Sequence, residues 1–175
     1  MLIFLIGFLI FTILLLFIIT SAFLGFLFTR VPFVPTGGAD IEPMVKRLGI
    51  NSGHQVFELG SGNGKVVFLI EKYTGAKVKG FESTLWTHLW AVIKKRIVGS
   101  KAEFVYGNFY KHSWQDADFL YMYLYPPLMS ELAKKAIADC RTGTKIISRD
   151  FPNSHLNQID YFKTPSGHEM YVYQI

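Results

Sequence analysis

The chain has 175 residues, half of them hydrophobic, with a formal net charge of +5 and a pI near 9.3. One cysteine, Cys140, excludes an intrachain disulfide and fits a reducing compartment. The basic balance raises nucleic acid as a partner, but no basic stripe with interleaved aromatics accompanies it, so none is expected; the charge suits a domain held beside anionic lipid headgroups.

Residues 1–29 carry no charged side chain. About 20 apolar residues cross a bilayer core. The run exceeds the apolar core of a secretory signal and lacks its basic start, so it reads as a retained single-pass transmembrane anchor. Every basic residue follows it, beginning with Arg30, which predicts a domain on the cytoplasmic, or matrix, side. Residues 30–38 form a juxtamembrane connector: Pro32 and Pro35 forbid a helix, and Gly37-Gly38 supplies a hinge. The remaining 39–175 are the size of one small domain. Asp40 is the expected N-cap of a short helix ending near Leu48, with Pro43 in its first turn.

The next stretch organises the domain. Val56-Phe57-Glu58-Leu59 is a short apolar run ending in an acid, and Gly60-Ser61-Gly62-Asn63-Gly64 follows before an apolar helical run from Val66. That order predicts a strand, a tight turn and a helix N-terminus, whose free N–H groups suit a carboxylate or phosphate. Lys65 stands where the dinucleotide fingerprint needs its third glycine. Strand two, Ala76 to Glu82, ends in an acid about twenty residues past the loop, where a carboxylate can accept from both ribose hydroxyls. The competing reading of Glu82 is a cap for the next helix through Ser83 or Thr84. Further elements are expected as a helix at 85–98, strands at 102–106 and 119–123, a helix at 127–140, a strand at 145–148, and a hairpin from 161–163 and 170–174. Strands alternating with helices give a Rossmann-like α/β fold, a doubly wound, mostly parallel sheet with a C-terminal antiparallel hairpin. Ligands bind such sheets at the carboxyl ends of the strands. There lie Glu58 to Gly64, Glu82, Asn108 and Tyr123 to Pro126. The five histidines have no ligand-like spacing, so no metal is expected.

The order Glu58-Leu59-Gly60-Ser61-Gly62-Asn63-Gly64 resembles the first motif of class I S-adenosylmethionine-dependent methyltransferases. Pro32-Phe33-Val34-Pro35-Thr36 after an apolar anchor, Gly80-Phe81-Glu82, Gly107-Asn108-Phe109 and Tyr123-Leu124-Tyr125-Pro126-Pro127 narrow the likeness. Together they resemble the small membrane-anchored protein-lysine methyltransferases, whose mitochondrial members modify the ATP synthase c subunit or the adenine nucleotide translocase. The resemblance implies S-adenosylmethionine as cofactor, held by Glu58 at its ammonium end and by Gly60, Ser61, Gly62, Asn63 and Gly64 along the loop. It further implies Glu82 at the ribose, Asn108 at the adenine edge, Tyr123 as a cofactor contact at the strand end, and Thr36 closing the cofactor site from the N-terminal side. Tyr125 stands where other nitrogen methyltransferases carry Asp or Asn before Pro-Pro, and it either orients the incoming nitrogen or walls the pocket. Asn63 and Asn108 replace carboxylates usual in the family.

The expected partner is a lysine of a membrane protein, since an anchor concentrates membrane neighbours. A lipid, quinone or other amphiphile is the alternative acceptor. A tethered nucleoside-binding module without catalysis is the non-enzymatic alternative, and a nicotinamide oxidoreductase the outside one.

Overall fold

A computed structural model describes residues 1–29 and 38–175, with side chains from 1–20 and 38–175. The connector at 30–37, including Thr36, lies outside the described residues.

The apolar leading segment forms one helix, α1 (Leu2–Thr29). Its span Leu2–Thr20 has a mean hydropathy of 3.3 with no residue buried inside the protein, and by length and composition it is able to cross a membrane. The domain then runs α2 (Ile41–Arg47), β1 (Gln55–Leu59), α3 (Lys65–Thr74), β2 (Lys77–Glu82), α4 (Leu85–Val98), β3 (Glu103–Tyr106), β4 (Phe119–Met122), α5 (Met129–Asp139), β5 (Lys145–Arg149), β6 (Gln158–Lys163) and β7 (Glu169–Gln174). Short 3-10 turns at Phe109–Lys111 and Pro126–Leu128 follow β3 and β4. The second replaces the helix start expected at Pro127, because consecutive prolines tighten the turn before α5 begins.

The seven strands form one sheet in the order β3-β2-β1-β4-β5-β7-β6. β3 to β5 pair in parallel. β7 inserts antiparallel between β5 and β6. The hairpin is therefore at the sheet edge as expected, with its second strand inside. The chain order reverses at β1 and β4, which lie side by side while β1 leads to β2 on its other flank. That switch point opens a crevice at the strand carboxyl ends.

Period-two alternation builds a core on each face of the sheet. On one face Val56, Val78 and Ile147 pack with Val67 and Ile70 of α3 and Met44 of α2. On the other, Phe57, Leu59, Phe81 and Leu120 pack with Leu132 and Ala136 of α5. Each such large side chain, when fully buried, contributes about 1.5–3 kcal/mol. The central strands, buried on both faces, fix the register that aligns Glu58 beside Tyr121 and Gly80.

Candidate functional site

The glycine turn forms as the sequence requires. Gly60 and Ser61 N–H both donate to the Phe81 carbonyl, at 2.9 and 2.8 Å, so the turn leaves β1 bound to the end of β2. Gly64 is the N-cap of α3 with φ of +76°. A Cβ there would lie 2.6 Å from the Phe104 ring and 3.0 Å from Phe68. On β2, a Cβ at Gly80 would lie 2.7 Å from both Cβ and Oγ of Ser61. The loop therefore lies flat against β2 because Gly80 has no side chain. Asn63 Oδ1 accepts from Lys65 N–H at 3.2 Å and helps start α3. In this chain its amide performs the local capping that a carboxylate could also perform.

Glu82 joins the two halves of the site. One carboxylate oxygen accepts from Gly62 N–H at 2.7 Å, the other from Thr84 N–H at 2.6 Å. Glu82 thus ties the residue before α4 to the glycine loop. A carboxylate offers about four acceptor sites, so two bonds leave each oxygen able to accept once more. That capacity matches a pair of vicinal hydroxyls.

Glu58 sits at the end of β1, 5% exposed. Burial pushes its carboxyl well above the usual carboxylate range; a hydrogen bond from the Val67 backbone opposes this, and the nearby Glu82 charge adds to it. Its Oε2 has no hydrogen-bond partner among the described residues. A buried acceptor without a donor is costly, and an ammonium group supplies both the donor and the charge this one lacks. Glu58 and the glycine-rich loop thus fit the aminoacyl end of a sulfonium nucleoside.

Asn108 follows β3. Its Oδ1 accepts from Tyr110 N–H at 2.9 Å, starting the 3-10 turn, and Gly107 N–H donates to the Glu82 carbonyl at 2.9 Å. Asn108 is exposed beside the Glu82 strand end, with its amide nitrogen left to donate. At the end of β4, Tyr123 is half-buried. It stacks on Phe151 with centroids 5.8 Å apart. Burial, and then the Asp150 carboxylate, raise its phenol above the ordinary value. Tyr125, two residues on, is 47% exposed.

The structure therefore gathers Glu58, Gly60 to Gly64, Glu82, Asn108, Tyr123 and Tyr125 at the carboxyl ends of β1 to β4. It also adds residues that sequence reasoning missed. Asp40 occupies the N-cap position of α2, yet its side chain makes no capping bond. Instead it accepts from Arg149 Nη2 at 3.0 Å, both residues 1% exposed, and from Ser166 N–H at 3.2 Å. The expectation of a capping role fails because a buried guanidinium is a stronger claim on the carboxylate than a helix N–H. Arg149 also lies over the Tyr123 ring, 5.4 Å from its centroid. Beyond it, Asp150 has φ of +59° and contacts His168 Nδ1 at 2.8 Å. These pairs join residues more than a hundred positions apart or across the hairpin, which no local signal reveals. Only the adjacent Arg149-Asp150 at a strand end hinted at them.

Among the described residues no cluster of His, Cys, Asp and Glu is arranged to hold a metal.

Known proteins are similar to this chain in sequence and in fold. The chain is 26% identical over 155 residues to a protein-lysine N-methyltransferase of Saccharolobus islandicus, covering 83% of this chain and 94% of that protein. It is 27% identical over 128 residues to the lysine N-methyltransferase of the ATP synthase c subunit from Rattus norvegicus, covering 71% of this chain but only 58% of the rat protein. Among solved structures, an RNA methyltransferase from Salinibacter ruber in complex with S-adenosyl-L-homocysteine superposes with a TM-score of 0.76 at 22% identity, over 81% of this chain and 94% of that one. At that identity the likeness shows a shared fold. The family model described as the ANTKMT methyltransferase domain matches residues 58–159, from the acid of β1 into β6. With more than half of its length matched, and the glycine turn and both acids inside the match, the chain belongs to the ANTKMT methyltransferase domain family.

Proposed function

We infer that this protein is a membrane-anchored, S-adenosylmethionine-dependent methyltransferase that modifies a lysine side chain of a membrane protein. The single observation that carries the cofactor is the pairing of Glu82, one hydrogen bond from the loop at Gly62 N–H, with the partnerless buried Glu58 Oε2. The lysine follows from the named activities of the Saccharolobus and rat relatives. The membrane setting is supported by the apolar span Leu2–Thr20 and the basic residues that follow it.

When bound, S-adenosylmethionine supplies an electrophilic methyl group. The chain provides proximity, alignment and a dry environment, which suffice for an in-line displacement. Glu58 holds the ammonium end, the Gly60 to Gly64 backbone lets the ligand lie against the main chain, and Glu82 accepts from the ribose hydroxyls. Asn108 donates to the adenine edge. At the β4 end, Tyr123 borders the cofactor and Tyr125 orients the acceptor. A lysine amine, with an unperturbed pKa of about 10.4, must lose its proton first. Desolvation beside Tyr123 and Phe151 disfavours the ammonium form and promotes release of that proton to solvent water.

Incubating membranes with methyl-labelled cofactor and the purified full chain tests the reading. Label should enter the protein fraction and emerge as methyl-lysine after acid hydrolysis. Label in the lipid extract would transfer the activity to an amphiphile. Tight cofactor binding with no incorporation in either fraction would leave a binding module.

A further inference from the structure

Helices on a soluble domain turn their apolar stripe inward. α4 does the reverse. Ala91 is its buried residue, whereas Leu85, Leu89, Trp90, Ile93 and Ile97 are exposed to 41%, 40%, 57%, 51% and 76%. These positions stand at i, i+4, i+5, i+8 and i+12, so they form one continuous stripe along the helix. A contiguous exposed apolar surface marks an interaction site.

The chemistry of the stripe selects its occupant. α4 reads LWTHLWAVIKKRIV and carries no acidic residue. Lys94, Lys95 and Arg96 lie at its C-terminal end, with Lys101 just beyond. Leu, Ile and Trp on one face with a cationic rim is the composition of a helix lying in a membrane interface, and Trp favours the headgroup level. Position agrees with composition. Trp86, at the start of α4, packs edge-on against Phe17 of α1 with ring centroids 5.4 Å apart. Phe17 lies within the apolar span Leu2–Thr20, so the stripe begins beside that span.

We propose that the exposed face of α4 is a second membrane-contact surface, seated in the interface of an anionic bilayer beside the α1 span. The inference rests on the anchor reading above. Its consequence is a fixed orientation. α4 begins three residues after Glu82, so the cofactor crevice opens close to headgroup level and accepts side chains that project just outside a bilayer.

The test uses the full chain reconstituted into phosphatidylcholine–phosphatidylserine vesicles, with and without brominated acyl chains, which quench nearby indoles. The difference between the parent and Trp90→Phe isolates the signal of Trp90. The proposal expects Trp90 to be quenched by brominated lipid, and the quenching to be lost in an Ile93→Lys, Ile97→Lys variant that still resists carbonate extraction. A chain that resists carbonate while Trp90 stays unquenched overturns the proposal, leaves the anchor standing, and assigns the stripe to a protein partner. A chain released by carbonate overturns the anchor reading and this inference with it.

Discussion

Glu58 and Glu82 are both buried acids, yet the structure gives them different tasks. Glu82 already holds two backbone N–H groups, while Glu58 has an oxygen with no partner. Burial raises the Glu58 carboxyl well above the ordinary range, so in the folded chain it keeps its proton to higher pH than an exposed carboxyl does. This proton therefore stabilises the fold below the ordinary carboxyl pKa, and the contribution is lost as pH rises through the raised value. Binding an ammonium group needs the carboxylate, so in the pH range where Glu58 still holds its proton, cofactor binding should release it, and affinity should rise with pH through that range. Calorimetry in two buffers of different ionisation enthalpy measures that proton; zero release would contradict the role given to Glu58. For Glu82→Gln, loss of charge-assisted bonds of about 1.5–3 kcal/mol each should weaken cofactor binding by about tenfold or more, because 1.4 kcal/mol is a factor of ten. Glu82→Ala is a poorer probe, since it also removes the partners of Gly62 and Thr84 and should lower thermal stability. The acids were legible in the sequence because each closes an apolar run. Their unequal hydrogen bonding was not, because it depends on how the loop folds back over β2.

At the scale of elements, the glycine loop is held by absences. At Gly64, both the positive φ and the approach of Phe104 oppose any side chain. Gly64→Ala should therefore cost about 1 kcal/mol or more and lower Tm by about 2–4 °C per kcal/mol for a domain of this size, as read by thermal unfolding. The Asp40–Arg149 pair ties the segment before α2 to the end of β5. Asp40→Ala leaves a buried guanidinium short of its partner, and such losses run to about 3–5 kcal/mol. Denaturant unfolding should show that loss, and Asp40→Leu combined with Arg149→Met should recover much of it. A single variant as stable as the parent would contradict the burial of the pair. The βα alternation and the α4 boundaries were readable because hydrophobic periodicity and Gly99 mark them locally. The ion pair, the insertion of β7 between β5 and β6, and the positive φ of Asp150 are tertiary facts, set by which strand ends meet.

For the whole molecule, the sheet brings the glycine turn and Glu82 to the end of the domain from which α4 departs, and α1 meets that helix at Trp86. The family match covers residues 58–159, so α1 and the connector are read from their own chemistry. Composition made the apolar helix obvious, while the exposed stripe of α4 was hidden, since a periodic apolar helix reads from sequence as one that faces a core. The most direct measurement of the central claim is a calorimetric titration of S-adenosylmethionine into the full chain in detergent, run beside NAD and beside the Glu82→Gln variant. The account predicts saturable binding of S-adenosylmethionine, none of NAD, and a loss of about tenfold or more in the variant, from the same charge-assisted bonds. No binding by the folded parent, or equal binding by the variant, would contradict it.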